Sequence, residues 1–190
     1  MRKLLLICAL LSSLVSFAGE KKSKNNAEGT KEKMEEIMGY RQEFIKLIDF
    51  DMPDLESDKN KGITMSARVR MYQTPKGNIF FFRLEGGLTD QKQVAFIEYL
   101  DLCKLIQAIN VLKTENVKDT QYENVLYLKN KYQITDDIEV GYHIRRGRPF
   151  WYIDIQGGGP NLTFGDPEQM LATFNYAKNK MEQLRVTYSK

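Results

Sequence analysis

The sequence predicts an α+β domain of two layers, in which helices pack on one face of a mostly antiparallel sheet of about five strands. Two observations support this class. Apolar and polar side chains alternate over residues 63–72 and again over 138–145, which is the pattern of a half-buried strand. A stretch with apolar residues at helical spacing follows each of these segments. The predicted order of elements is α-ββ-α-βββ-α.

Residues 1–18 have the pattern of a secretory signal peptide. Arg2 and Lys3 precede an apolar run over residues 4–17, and small residues lead up to a cleavage site after Ala18. The run is too short to span a hydrocarbon layer of about 30 Å as a helix, which argues against a stable membrane anchor. We therefore expect a secreted or periplasmic protein.

The composition argues against some classes of function. Cleavage after Ala18 would remove 18 of the 190 residues and two of the 28 basic ones, leaving 26 basic against 25 acidic residues. A chain so close to neutrality is not typical of a nucleic-acid binder. Cys103 is the one cysteine beyond the signal peptide, so no internal disulfide can form.

We expect a polar, flexible leader over residues 19–30 and a single domain over residues 31–190.

Two helices and a linking strand are predicted from the spacing of apolar residues. The first helix is predicted over residues 31–49, where apolar side chains recur at roughly helical spacing. A buried helix is predicted within residues 94–112, which are apolar along more than one stripe. Asp90 and Gln93 precede it at the spacing of a capping box. Residues 122–134 are predicted to form the linking strand.

The first hairpin and its helix are predicted over residues 63–113. A two-residue Lys76-Gly77 loop would pair Met71 with Phe82 in the neighbouring strand. This pairing places the apolar side chains of both strands on one face of the hairpin. That face is the one we expect the helices to cover.

The second hairpin and its helix are predicted over residues 138–187. Glycine in the first loop position, as in Gly147-Arg148, is typical of a type II′ turn and would pair Tyr142 with Ile153. Apolar residues at spacings of three and four then form one stripe along the helix that follows.

The second hairpin repeats the pattern of the first hairpin 71 positions later. The corresponding positions are Ala67 and Ile138, Val69 and Val140, Met71 and Tyr142, Phe80 and Trp151, Phe82 and Ile153, and Leu84 and Ile155. Two explanations compete, which are duplication of a ββα unit and coincidence between two amphipathic hairpins.

The face of the sheet opposite the helices combines aromatic rings with cations. Its candidate binding residues are Arg68, Arg70, Tyr72, Phe81, Arg83, His143, Arg145, Phe150 and Tyr152. Guanidinium groups bind carboxylate or phosphate in a bidentate manner, and rings can stack on a planar ligand or a sugar. In the alternative interpretation, the N-terminal helix or a second subunit covers the rings, and the arginines pair with Glu85, Glu139 and Asp154.

The sequence contains no motif for catalysis, metal binding or a cofactor. His143 is the single histidine, and its neighbours do not have the spacing of metal ligands. We therefore expect a non-catalytic binding module for an unknown protein or a small anionic or ring-bearing ligand. Two alternatives stay open. One is a small hydrolase of envelope or extracellular polymers that uses carboxylates such as Glu85, Glu139 and Asp154, and the other is a self-associating structural subunit.

Overall fold

The computed structural model describes residues 37, 39, 44–59, 62–86, 93–135, 138–155 and 162–189. The predicted signal peptide and leader lie outside the described residues. The described strands are β1 (Lys46–Asp51), β2 (Leu55–Glu56), β3 (Thr64–Thr74), β4 (Gly77–Gly86), β5 (Gln93–Ile97), β6 (Tyr127–Thr135), β7 (Ile138–Arg145), β8 (Arg148–Ile155) and β9 (Leu162–Phe164). The two long helices are α1 (Tyr99–Asp119) and α2 (Glu168–Tyr188).

The strands form two antiparallel sheets, each followed by a helix. The first sheet has the strand order β1-β3-β4-β5, with the short β2 also paired to β3, and the second has the order β6-β7-β8-β9. The α+β class and the antiparallel pairing are confirmed. The prediction of one sheet with about five strands is wrong for the described residues, because α1 separates two groups of strands that each pair among themselves.

Strand β1 replaces the end of the predicted N-terminal helix. Ile37 and Gly39 are helical, but Lys46–Asp51 form a strand that pairs with β3. Other residues of the predicted helix, 31–36, 38 and 40–43, lie outside the described residues. The apolar residues of this short segment fit the spacing of a helix and that of a strand about equally well. Pairing with the long neighbouring strand β3 then favours the strand. Opposite charges align across the pair, with Asp49 facing Arg70.

Strand β5 likewise occupies the start of the predicted buried helix. Gln93–Ile97 pair with β4, so Ala95 and Ile97 point into the core. Helix α1 begins at Tyr99 after the N-cap residue Glu98, and it extends to Asp119. The prediction of a capping box is therefore wrong, because Gln93 lies in a strand, while Asp90 lies outside the described residues.

Both hairpins have the predicted faces but a register that differs by two residues. In the first hairpin the loop is Pro75-Lys76, between the paired residues Thr74 and Gly77. Met71 consequently lies opposite Phe80 rather than the predicted Phe82. A shift of two positions preserves the alternation, so the same side chains remain buried.

The second hairpin turns at Arg146-Gly147 rather than at the predicted Gly147-Arg148. Both loop residues have positive φ, 52° for Arg146 and 74° for Gly147, which is the signature of a type I′ turn instead of type II′. Tyr142 therefore lies opposite Trp151, not Ile153. Type I′ turns match the right-handed twist of the flanking strands.

The inner faces of both sheets and the two helices share one apolar core. Helix α1 contacts β6 and β7 of the second sheet and, less extensively, β4 of the first sheet, whereas α2 contacts β2, β3 and β4 of the first sheet. Phe174 of α2 meets Phe82 with ring centroids 5.6 Å apart. We refer to this arrangement, in which each helix packs mainly against the sheet that it does not follow, as the crossed packing. Within the described part of the chain, neither helix is long and apolar enough to cross a membrane.

Candidate functional site

The nine candidate binding residues do not share one face, because they divide between the two sheets. Five lie on the outer face of the first sheet, namely Arg68, Arg70, Tyr72, Phe81 and Arg83. The other four lie on the outer face of the second sheet, namely His143, Arg145, Phe150 and Tyr152. The two faces differ in how many of these side chains are already buried or bound to other side chains of the protein.

Apolar contacts cover the rings on the first sheet. Phe81 is fully buried and Tyr72 is 8% exposed. They pack edge to face with centroids 6.0 Å apart, and Phe96 meets the other side of Phe81 at 5.9 Å. The buried, helical Ile37 belongs to the same cluster. This arrangement agrees with the alternative in which an N-terminal helical segment covers the rings.

The arginines of the first sheet are bound to acids of the same sheet. Arg70 donates two hydrogen bonds of 2.7 Å to the carboxylate of Asp49. Arg83 forms an ion pair with Glu85, and Arg68 lies 3.6 Å from Asp51. The hydrogen bond from Arg70 keeps the pKa of Asp49 below its usual value. Asp49 could not be identified as a partner from the sequence, since residues 31–49 were predicted to form a helix.

Three rings form a stack across the second sheet, one from each of three neighbouring strands. His143 on β7 stacks on Phe150 of β8 at 5.3 Å and 14°, and on Tyr127 of β6 at 6.0 Å and 27°. We call these three residues the ring row. Because neighbouring rings face one another along the row, the His143 ring lies between the rings of Phe150 and Tyr127.

An open pocket lies at the turn of the second hairpin, beside the ring row. It has a volume of about 800 Å³ and is lined by Leu126, Tyr127, Arg145, Arg146, Arg148 and Phe150. We call the segment from Arg145 to Arg148 the hairpin tip. Its three arginines are exposed, and none of them has an acidic partner among the described residues. The guanidinium of Arg145 lies 5.8 Å from the Tyr127 ring centroid, within the range of a cation–π contact.

Glu139 organises a second group of side chains on the same sheet. Its carboxylate, 12% exposed, accepts a 2.7 Å contact from Lys129, another from Lys131, and a 2.5 Å hydrogen bond from the Tyr152 hydroxyl. Burial alone would raise the pKa of Glu139, but these donors outweigh it and lower the pKa to about 2. Tyr152, a candidate binding residue, is itself 1% exposed. The side chains of this group therefore already bind one another within the second sheet.

His143 is surrounded by positive charge as well as by rings. Burial lowers its pKa below the usual 6.5, and the nearby Arg145 and Lys129 lower it further. Its imidazole is therefore mainly neutral near pH 7, and the positive charge next to it comes from Arg145 and Lys129. Within the described residues no three His, Cys, Asp or Glu side chains converge in a way that could hold a metal ion.

The most exposed part of the site was only partly identified from the sequence. Arg145 and Phe150 were named, but Tyr127, Arg146 and Arg148 were not. The sequence did contain a local indication of this site, because three arginines surround one glycine at a predicted turn. Tyr127 required knowledge that β6 pairs with β7, which places it opposite Arg145.

Comparison of the chain with protein-family models, with curated proteins and with solved structures finds no match. The argument for function therefore rests on the geometry and charge of the site.

Proposed function

We propose that this chain is an exported, non-catalytic binding module whose contact surface is the outer face of the second sheet at the hairpin tip. One observation supports this proposal above the others. Three exposed arginines without acidic partners among the described residues line a pocket of about 800 Å³ together with two rings of the ring row. Unpaired guanidinium groups beside a concave surface favour recognition of an anion.

The corresponding turn of the first hairpin supports this choice by contrast. We propose that the two hairpins arose by duplication of a ββα unit, since the pairs Met71–Phe80 and Tyr142–Trp151 are 71 positions apart. In the first hairpin the loop is Pro75-Lys76 and has no arginine. A cluster of arginines at one turn alone is what a binding function at that turn would require.

A carboxylate-dependent hydrolase is the second proposal. It is favoured by the pairing of Glu139 directly opposite Asp154, because retaining glycosidases need two carboxylates about 5 to 5.5 Å apart. The low pKa of Glu139, about 2, opposes it, since such a group stays ionised and cannot serve as a general acid near pH 7. Glu85 lies on the other sheet and pairs with Arg83.

Self-association of the chain is the third proposal. Exposed Leu126 and Tyr127, which are 83% and 51% exposed, lie at the start of the edge strand β6. Apolar side chains at a sheet edge can pair with a second copy.

Native mass spectrometry of the untagged protein, purified from the exported fraction of its own host, tests the binding proposal. We expect an added mass that is lost in Arg145→Ala and kept in Arg185→Ala, a control at an exposed arginine on α2. A monomer without added mass, or an added mass equally retained by Arg145→Ala, would overturn the proposal. A doubled mass would favour self-association.

A further inference from the structure

We infer that the ligand of the hairpin tip is a multiply charged anion, whose phosphate or carboxylate groups are bound together by Arg145, Arg146 and Arg148. This inference rests on the proposed binding function and narrows its ligand class. Three independent features of the tip lead to it, namely the orientation of the rings, the balance of charge, and the like-charge pair at the turn.

The orientation of the rings disfavours a ligand that binds mainly by stacking. Each face of the His143 ring is covered, by Phe150 at 5.3 Å and by Tyr127 at 6.0 Å. The guanidinium of Arg145 lies near the remaining Tyr127 surface. Ring faces of the row are therefore partly occupied by its own members and by Arg145, which leaves the guanidinium groups as the main polar groups lining the pocket.

The balance of charge separates the arginines from the lysines of the same sheet. Lys129 and Lys131 both contact Glu139, so each of them already has an acidic partner within the fold, although the three groups together keep one positive charge. Arg145, Arg146 and Arg148 have no such acid among the described residues. One planar acid group is satisfied by one or two guanidinium groups, so three of them match a ligand with more than one acid group.

The turn itself places like charges together. Arg145 and Arg148 are directly opposite each other in the last pair of the hairpin, an arrangement that destabilises a β-ladder. Arg146 adopts a positive φ of 52°, which costs free energy for a residue other than glycine. An anion between these arginines would relieve the repulsion. Costly features of this kind concentrate at functional sites.

Calorimetric titration of the untagged protein with tripolyphosphate, citrate and inorganic phosphate tests the inference. We expect tripolyphosphate or citrate to bind at least about tenfold more tightly than inorganic phosphate, because an anion with several acid groups can pair with more than one guanidinium group at once. Arg145→Gln and Arg148→Gln should each weaken this binding about tenfold or more. Arg185→Gln, the matched control, should leave it unchanged.

The single histidine provides a second readout at the site itself. A bound anion near the ring row should raise the pKa of His143, which proton NMR can follow in a spectrum with one imidazole. In Arg145→Gln, whose folding is checked by circular dichroism, the anion should no longer raise the pKa of His143. An anion bound elsewhere would leave the titration of His143 unchanged and would overturn the inference.

Failure of this inference differs from failure of the proposed function. If neither tripolyphosphate nor citrate binds to the folded protein, the anion inference is overturned. If native mass spectrometry still shows an added mass that depends on Arg145, the binding function survives with a different ligand class. If both experiments are negative, the binding function is overturned as well.

Discussion

Glu139 is the residue that connects the strands beneath the candidate site. Its carboxylate accepts contacts from Lys129 and Lys131 on β6 and from Tyr152 on β8, while Glu139 itself lies on β7. One side chain therefore joins three neighbouring strands of the second sheet. Its removal leaves a buried hydroxyl and two ammonium groups without their common acceptor.

We predict that Glu139→Gln lowers the free energy of unfolding by about 1 to 3 kcal/mol at pH 7. The pKa of Glu139 in the fold is about 2, below its ordinary value of 4.5, so its contribution is present above that ordinary value and is lost as the pH falls toward 2. The difference between wild type and variant should therefore shrink between about pH 5 and pH 2.

Urea denaturation at several pH values measures this difference. Glu115→Gln is the control, because Glu115 forms its ion pair with Lys118 of the same helix, and both side chains are largely exposed, 40% and 65%. Equal losses in the two variants, or a Glu139→Gln loss that does not depend on pH, would contradict the proposed role of the carboxylate.

We predict that His143 makes stability depend on pH in the same direction as Glu139, but closer to neutral pH. The pKa of His143 is lowered in the fold, so the unfolded chain takes up its proton first and stability falls as the pH drops below about 6.5. Charged and titratable groups around it are Tyr127 and Lys129 on β6, Arg145 on β7, and Arg148 and Tyr152 on β8. His143→Phe keeps a stacked ring without a proton to gain.

Thermal denaturation at pH 7.5 and pH 5.5 compares the two proteins. The wild type should lose more stability than His143→Phe over this interval, because only the wild type has the imidazole. Parallel losses would show that other groups are responsible.

At the scale of elements, contact between β6 and β7 depends on the absence of a side chain at Gly141. A Cβ atom there would lie 2.3 Å from the carbonyl oxygen of Asn130 and 2.9 Å from the Cα of Lys131. Both are backbone atoms, so the clash cannot be relieved by rotating a side chain. The strands would have to separate.

We predict that Gly141→Ala destabilises the protein by about 1 to 3 kcal/mol or more, the usual cost of overpacking. Gly39→Ala is the matched control, since the same methyl group meets nothing within 4 Å in a helical residue and should not destabilise. Chemical denaturation of both variants makes the comparison. Equal stability of the two variants would contradict the clash.

The hairpins and the short strands show which parts of the fold could be predicted from the sequence. Alternation of apolar residues predicted both hairpins and their buried faces, because a shift of two positions leaves every side chain on its face. It could not predict the register, since loops at Pro75-Lys76 and Lys76-Gly77 both satisfy the pattern. Strands β1 and β5 were missed because short apolar segments fit a helix equally well.

The candidate site was predictable only where its parts are local in sequence. The hairpin tip arises from consecutive residues and could be located as a basic turn. The partition of the candidate residues between two sheets depends on pairing over long distances along the chain. No periodicity encodes the ion pair of Asp49 with Arg70, which are 21 positions apart.

At the scale of the whole molecule, the crossed packing couples the two sheets. Phe174 of α2 contacts Phe82 of the first sheet, whereas Asp119 of α1 accepts a 2.6 Å hydrogen bond from Tyr142 of the second sheet. Each sheet thus depends on the helix that follows the other one. Neither half of the chain contains its complete core.

We predict that Phe174→Ala lowers the free energy of unfolding by about 3 to 5 kcal/mol. Trp151, the single tryptophan, lies on the second sheet and reports on it by fluorescence. Because the sheets unfold together, the Trp151 transition should move as far as the transition seen by circular dichroism. A Trp151 transition that stays unchanged would show that the sheets unfold independently.

The crossed packing also determines when the chain can finish folding during synthesis. Helix α2, which covers much of the first sheet, follows all the described strands along the chain, so Phe82 lacks its contact with Phe174 until residues 168–188 have been synthesised. Chains that end before α2 therefore expose apolar side chains of the first sheet, the kind of surface that chaperones bind and proteases reach.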